Sequence, residues 1–285
     1  MECPAHSCCD AEYEGGAISL PNTHGRNTPW KFYNHLIGKM PDDIYVRDYC
    51  LGTHWTYVEA DCGMGVSFTC KGGGARTTNI DLRGLKLKEV AELSKSWRFE
   101  EASIGVAALN AWYARPELLN PLGAEYDEPI ELPDGSIRKI DAFEIYRPEI
   151  AAKEKANVTV IGHFPHVERI SEYANLTVLE RNCTSKLDTP DPACEYILPQ
   201  SDYTFITGVT IINKTAPRLL ELSKNGKTIM VGPSVVMSPY LLHWDVDMLA
   251  GSVVSDPEKV RFAVKSGAGQ LFGEALSMCS LKKHD

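Results

Sequence analysis

Residues 158–170 read Val-Thr-Val-Ile-Gly-His-Phe-Pro-His-Val-Glu-Arg-Ile. Four strand-forming residues run into Gly162, and a helical pattern begins near Val167. Strand, glycine and helix in that order open a nucleotide-binding βα unit. The second and third glycines of a phosphate cradle are missing, however, and His163 and His166 flank Phe164-Pro165 in their place. The stretch predicts a Rossmann-type frame whose first loop cannot approach a pyrophosphate as a glycine-rich loop does.

The same rhythm continues to the end of the chain. Further strands are predicted over 176–179, 203–207, 228–231 and 248–254, with helices over 167–173, 214–225, 239–244 and 257–266. Alternating strands and helices with continuously apolar strands indicate a parallel sheet covered on both faces. The fold class is therefore α/β, with a Rossmann-like domain over 157–280.

Ligands of such sheets sit beyond the carboxyl ends of the strands. Those ends carry Gly162, Glu180, Thr207-Gly208, Gly232-Pro233-Ser234 and Gly251-Ser252, so a ligand or cofactor is expected along this rim. Pro165 suits a first helical position, which puts His166 in the first turn, where the helix dipole disfavours imidazolium. A neutral imidazole serves as a metal ligand, a hydrogen-bonding partner or an acid/base. His163 lies three residues earlier, and the metal-ligand candidates are His163, His166 and Glu180. Glu180 also stands where dinucleotide enzymes place a ribose-binding acid. Against both readings, a loop histidine is most often an ordinary hydrogen-bonded residue.

The first half reads differently. Residues 1–30 form a loose extension broken by Gly15-Gly16, Pro21 and Pro29, and their Cys3-x-x-His6-x-Cys8-Cys9 tract is either a soft-metal chelator or a tail with surface cysteines. A helix over 30–40 leads to strands over 44–53, 55–60 and 66–70, with residues 61–65 as a turn. Gly72-Gly73-Gly74 lacks the Lys-Ser/Thr partner of a phosphate loop. Leu87, Val90, Ala91 and Ser94 mark one helix, and residues 100–115 a second, apolar nearly all round and therefore central. Its Glu101, Ser103 and Asn110 either anchor loops or look into a cleft, where Glu101 and Asn110 become catalytic candidates beside His166. Pro116, Pro121, Pro129, Pro133 and Pro148 make 116–156 a linker, leaving 31–115 as an α+β domain.

Composition narrows the partners. The chain has 285 residues, 44% of them hydrophobic and 24% charged, with a formal charge of -9. That balance argues against nucleic acid. The longest apolar segment, residues 102–114, is too short to cross a bilayer. Nine cysteines without a C-x-x-C pair, and no signal-peptide pattern at the start, lead us to expect a cytoplasmic protein with reduced thiols. A homodimer is the expected oligomer.

Several motifs carry a resemblance. Gly-His-Phe-Pro-His at 162–166, Leu-Pro-Gln-Ser-Asp-Tyr at 198–203, Lys-Thr-Ala-Pro-Arg-Leu-Leu-Glu-Leu-Ser at 214–223, and Val-Gly-Pro-Ser at 231–234 followed by Ser238-Pro239 resemble the "putative heavy-metal chelation" family, domain of unknown function 364. Glu-Ala-Ser-Ile-Gly-Val-Ala-Ala-Leu-Asn-Ala at 101–111 resembles the N-terminal domain of the same family. The resemblance implies an enolase-N-terminal-like α+β domain, then a Rossmann-like domain, with a site between them. It carries His163, His166, Glu180, Thr207 and Gly232 to Ser234 on one side, and Glu101 and Asn110 on the other. Three functions follow as expectations: binding of a metal ion or metal-bearing small molecule, an enzyme using a nucleotide or S-adenosylmethionine, or a non-catalytic module that binds a partner.

Overall fold

The structure is a computed structural model that describes residues 30–76, 79–127, 130–131, 137–138, 142–269, 271 and 275–283. The Cys3 to Cys9 tract lies outside the described residues. Helix α1 (Trp30–Gly38) buries Phe32, Tyr33, Leu36 and Ile37 and leads to an antiparallel meander of β1 (Val46–Leu51), β2 (Trp55–Ala60) and β3 (Gly63–Phe68). The hairpin between β2 and β3 turns on Asp61 and Cys62 alone. Gly63 to Gly65, expected as part of the turn, belong to the strand.

Helix α2 (Leu87–Ala91) and a following 3-10 turn precede α3 (Phe99–Tyr113), of which nearly every residue is buried. This central position follows from two glycines. A methyl at Gly65 would lie 2.0 Å from the Ala111 nitrogen, and one at Gly105 would lie 1.9 Å from the Ser94 nitrogen. The helix therefore touches a strand on one side and the 3-10 turn on another, backbone to backbone, which only glycine permits.

Residues 116–156, expected as a linker, contribute structure instead. They supply α4 (Pro116–Leu119), β4 (Glu125–Tyr126), a two-strand ribbon of β5 (Ile130–Glu131) and β6 (Ile137–Arg138), and α5 (Ala142–Ala152). Ala142, Tyr146 and Ile150 of α5 pack with Val158, Val160, Phe205 and Ile229 on one face of the main sheet. Of the prolines that suggested a linker, Pro116 and Pro121 open short helical segments, where a missing N–H is harmless, and Pro148 lies inside α5.

The second half comprises β7 (Asn157–Ile161), β8 (Asn175–Glu180), β9 (Asp188–Pro190), α6 (Cys194–Ile197), β10 (Tyr203–Thr207), α7 (Val209–Ile212), α8 (Ala216–Ser223), β11 (Lys227–Val231), β12 (Met248–Val254), α9 (Pro257–Lys265) and β13 (Leu276–Lys282). The eight-stranded sheet runs β4-β13-β12-β11-β10-β7-β8-β9. Its strands from β12 to β9 are mutually parallel, and β13 and β4 close one edge antiparallel. Counted along the chain, the parallel strands lie in the order 3-2-1-4-5-6, that of dinucleotide-binding folds. The five predicted strands are present. The sequence reading missed β9, which has only three residues, and β13 and β4, which make the sheet mixed rather than wholly parallel.

The two halves share one core. Leu36, Val58, Ile104 and Leu109 belong to the same buried cluster as Ile161, Ile206, Met230 and Leu249. Among the described residues no helix is long and apolar enough to cross a membrane. Because α3 approaches its neighbours through bare glycines, Gly65→Ala should lower stability by about 3 kcal/mol or more in urea unfolding. Gly38→Ala, with nothing within 4 Å of the new methyl, should change it by less than about 1 kcal/mol.

Candidate functional site

In the order 3-2-1-4-5-6, β7 and β10 are the pair from which the chain crosses over in opposite directions. Their tips diverge into a crevice. There the structure holds a cavity of about 450 Å³, within the range of small-molecule sites. Phe68, Ile161, Leu179, Val209 and Leu219 give it an apolar floor, and His163, Glu180, Arg181, Asp191, Thr210 and Asn213 line its polar part. Phe68 is the last residue of β3, so the first half closes one wall. Cys194, Thr207, Thr215 and Arg218 also line it.

His163 is the best-oriented side chain of this set. Its Nδ1 lies 2.9 Å from Asp188 Oδ1, and Asp188 Oδ2 accepts the backbone N–H groups of Thr184 at 2.8 Å and Ser185 at 2.7 Å. The Ser185 N–H foremost, then the Thr184 N–H and His163, hold the Asp188 carboxyl below its ordinary range. An ionised carboxylate only accepts, so the Nδ1 that faces it carries a proton, and a ring bearing that single proton has Nε2 as its acceptor. A carboxylate behind an imidazole is also how metal-binding histidines are oriented.

His166 departs from expectation. It precedes a 3-10 turn of residues Val167–Glu172 in the left-handed conformation, with φ 60°, so it is not in a helical first turn. Its ring is 69% exposed, 3.7 Å from Glu168 Oε1, and does not line the cavity. The two imidazoles thus engage separate carboxylates. Glu180 does line the cavity, and its Oε1 accepts from the backbone N–H of Arg181 at 2.9 Å and of Asn182 at 3.4 Å. Oε2 has no partner among the described residues. Gly162 and Thr207 are lining residues as well.

The remaining candidates serve packing within each half or the joint between them. Glu101 is buried and accepts from Ser96 Oγ at 2.7 Å. Asn110 Nδ2 donates to the Val66 carbonyl at 3.0 Å and the Pro233 carbonyl at 3.4 Å. Ser234 Oγ accepts the Phe68 N–H at 2.8 Å. A methyl at Gly208 would lie 2.3 Å from the Val235 nitrogen, and one at Gly251 would lie 2.4 Å from Met237 Sδ. Gly208, Gly232, Pro233, Ser234 and Gly251 are therefore absent from the lining. Gly208 and Gly251 answer to close internal packing, and Gly232 to its left-handed backbone with φ 103°.

Asp188, Arg181, Asp191, Cys194, Asn213, Thr215 and Arg218 escaped the sequence reading. Asp188 belongs to a strand too short to show periodicity. Asn213, Thr215 and Arg218 lie in or beside the motif at 214–223, whose unusual polar density was the available signal.

Residues 142–277 match the family model DUF364, "Putative heavy-metal chelation", and residues 33–113 match DUF4213, described in the same words. A crystal structure of a DUF364 protein of unknown function from Desulfitobacterium hafniense is 32% identical, covering 89% of this chain and 98% of that one with a TM-score of 0.76. The chain belongs to the DUF364 family. A second DUF364 structure, from Pyrococcus horikoshii, has 22% identity and a TM-score of 0.70, covers 90% of this chain and 98% of that one, and shares the fold. An uncharacterized protein of Methanocaldococcus jannaschii is 26% identical over 259 residues, 85% of this chain and 92% of its own length.

The DUF364 description names metal, and the donor set can be tested against it. Among the described residues no three His, Cys, Asp or Glu side chains group closely enough to hold an ion. His163, His166 and Glu180 are accordingly not a joint metal site. The thiol of Cys194, on the cavity wall, is pushed up by burial and starts protonated. A bare ion does not fit; a single oriented imidazole does fit a metal whose other ligands arrive with it.

Lys214 lies beside the cavity, between the lining residues Asn213 and Thr215. Its Nζ donates to the Ile212 carbonyl at 2.7 Å and to the Ser96 carbonyl across the joint. Burial lowers its pKa to about 7, against the opposite pull of Cys70. Two carbonyl acceptors match the two N–H bonds of a neutral amine. In the unfolded chain a lysine titrates near 10.4, so between about pH 7 and that value the unfolded state binds the extra proton. Stability should therefore rise from pH 7 toward pH 10, because the cost of burying the ammonium is full below pH 7 and disappears above the unfolded value. Urea unfolding across that range should show the slope in the wild type and a flatter profile in Lys214→Met.

Proposed function

We propose that the switch-point cavity binds a metal-bearing small molecule, with His163 Nε2 as the ligand that the protein adds to the metal. The observation that carries this reading is the Asp188–His163 pair at the cavity wall. It fixes one tautomer, and it stands where no second and third protein donor converge. The small molecule would bring most of the coordination sphere, and the apolar floor would take its body. Glu180 brings a carboxylate to the same cavity, while Asp191 is paired with Arg181 at 3.0 Å and Arg218 also lines the wall, so the lining offers both signs of charge to a chelate's metal and to its carboxylates.

The Ni2+ complex of nitrilotriacetate, which leaves open coordination positions, is a suitable probe for titration calorimetry on the full chain. Wild type should bind it. His163→Ala should weaken binding at least about tenfold, within the range that loss of a metal ligand's support produces, and Asp188→Asn should weaken it by a smaller factor. Equal binding in wild type and His163→Ala, with loss instead in Cys8→Ser/Cys9→Ser, would assign the metal to the first thirty residues and overturn the reading.

A second reading rests on Glu180. It ends the second strand of the Rossmann-order sheet and lines the cavity with one oxygen unengaged, which suits a ribose diol. Under this reading NAD(H), ATP or S-adenosylmethionine raises the melting temperature of the wild type and not of Glu180→Gln. No response across those ligands leaves the chelate reading alone.

A further inference from the structure

The crevice at the tips of β7 and β10 has two sides, and only one is open. On the first-half side lies the cavity, floored by Ile161 and Leu179. Along each strand successive side chains point to opposite faces, and the neighbours Val160, Val178 and Phe205 belong to the core on the α5 side. On that side the first-loop residue Phe164 fills the crevice. A methyl at Gly162 would lie 3.7 Å from Phe164 Cε2, and one at Gly232, at the end of β11, would lie 3.9 Å from Cε1. The ring thus spans from the tip of β7 to the tip of β11, passing that of β10 between them. It is backed by Phe143 of α5, edge to face, with centroids 5.4 Å apart and planes at 67°.

The two glycines have φ of 98° and 103°, and neither presents a side chain that would lift the ring. Nor do the loop after β11 and Gly251 within β12 contribute to the open cavity, since Ser234 is held by the Phe68 N–H and Gly251 is covered by Met237. A dinucleotide crosses both sides of such a crevice. Here the crossing is occupied by a protein side chain that packs on the core.

From this arrangement we infer that Phe164 is the size-determining residue of the site: it confines the ligand to a compact, one-lobed molecule on the β7–β8 side and excludes two-lobed ligands that cross the strand tips. This deepens the chelate reading and rests on it for the choice of probe. Gly162 borders both the cavity and the ring, so removing the ring opens the space beneath it next to the cavity, with the Thr207 side chain, 3.1 Å from a methyl at Gly162, at the boundary.

The test compares two Ni2+ complexes, that of nitrilotriacetate and that of its benzyl-bearing analogue N,N-bis(carboxymethyl)phenylalanine. In wild type the benzyl complex should bind about tenfold or more weaker, the scale on which a filled pocket rejects added bulk. In Phe164→Ala the two should bind alike or in reversed order, with Phe164→Leu between. His163→Ala should weaken both complexes and leave their ratio unchanged, so a failure of the metal reading is separable from a failure of the size claim. A metal-free arm covers that case: benzyl alcohol should raise the melting temperature of Phe164→Ala saturably and leave wild type unmoved, as a cavity made by deleting an aromatic ring takes up a small aromatic. An unchanged ratio of the two complexes in Phe164→Ala, or an absent benzyl alcohol response in that variant, would overturn the inference.

Discussion

The amide of Asn110 ties together two backbone segments far apart in the sequence, one in each half of the chain. One Nδ2 group reaches Val66 in the small sheet and Pro233 in the loop after β11, inside a core from which water is excluded. Buried carbonyls without a donor cost roughly 1–3 kcal/mol each, so the contact is both stabilising and directional. Around it the Phe68 N–H meets Ser234, Tyr33 donates to the Ile211 carbonyl at 2.7 Å, and Lys214 reaches Ser96. Glycines at 65 and 105 let α3 come close enough for these bonds to form. The position of Phe68 as a cavity wall is a consequence of that joint.

This joint also explains why the rim of the Rossmann-like sheet is used unevenly. The tips of β11 and β12 face the small sheet and are spent on packing and on accepting hydrogen bonds. The tips of β7, β8 and β10 remain free to line a cavity. A site in this fold is therefore a remainder, the part of the crevice that neither the joint nor Phe164 fills. Its polar side chains are held by neighbours before any ligand arrives, as His163 is by Asp188 and Arg218 by Glu195 and Glu221.

Much of the architecture was legible in the sequence. Apolar runs, most of them with a glycine at or near the end, announce buried parallel strands, and all five drawn that way are strands. The near-uniform apolarity of α3, with Gly105 at its middle, announced a central helix. Partners were less legible. Asn110 and Glu101 were visible as polar residues on a buried helix, yet whether they faced a cleft or a carbonyl depends on what lies across from them, and periodicity is silent on that. His163 and His166 look equivalent in the sequence. His166 itself takes the left-handed conformation, which leaves its ring largely in solvent while the His163 ring meets Asp188. Asp188 itself left no pattern, because a three-residue edge strand is defined by its pairing with β8 and not by its own alternation.

In the proposed chelate site the imidazole fixed by Asp188 presents Nε2 to a metal carried into the switch-point cavity. A diffraction experiment at the nickel absorption edge, on crystals of the full chain grown with the Ni2+ complex of nitrilotriacetate, reads that contact directly. One anomalous peak is expected at bonding distance from His163 Nε2, on the side of Glu180 and Leu179. A peak at His166 or elsewhere on the surface, with the His163 ring still turned to Asp188 and no metal beside it, would contradict it.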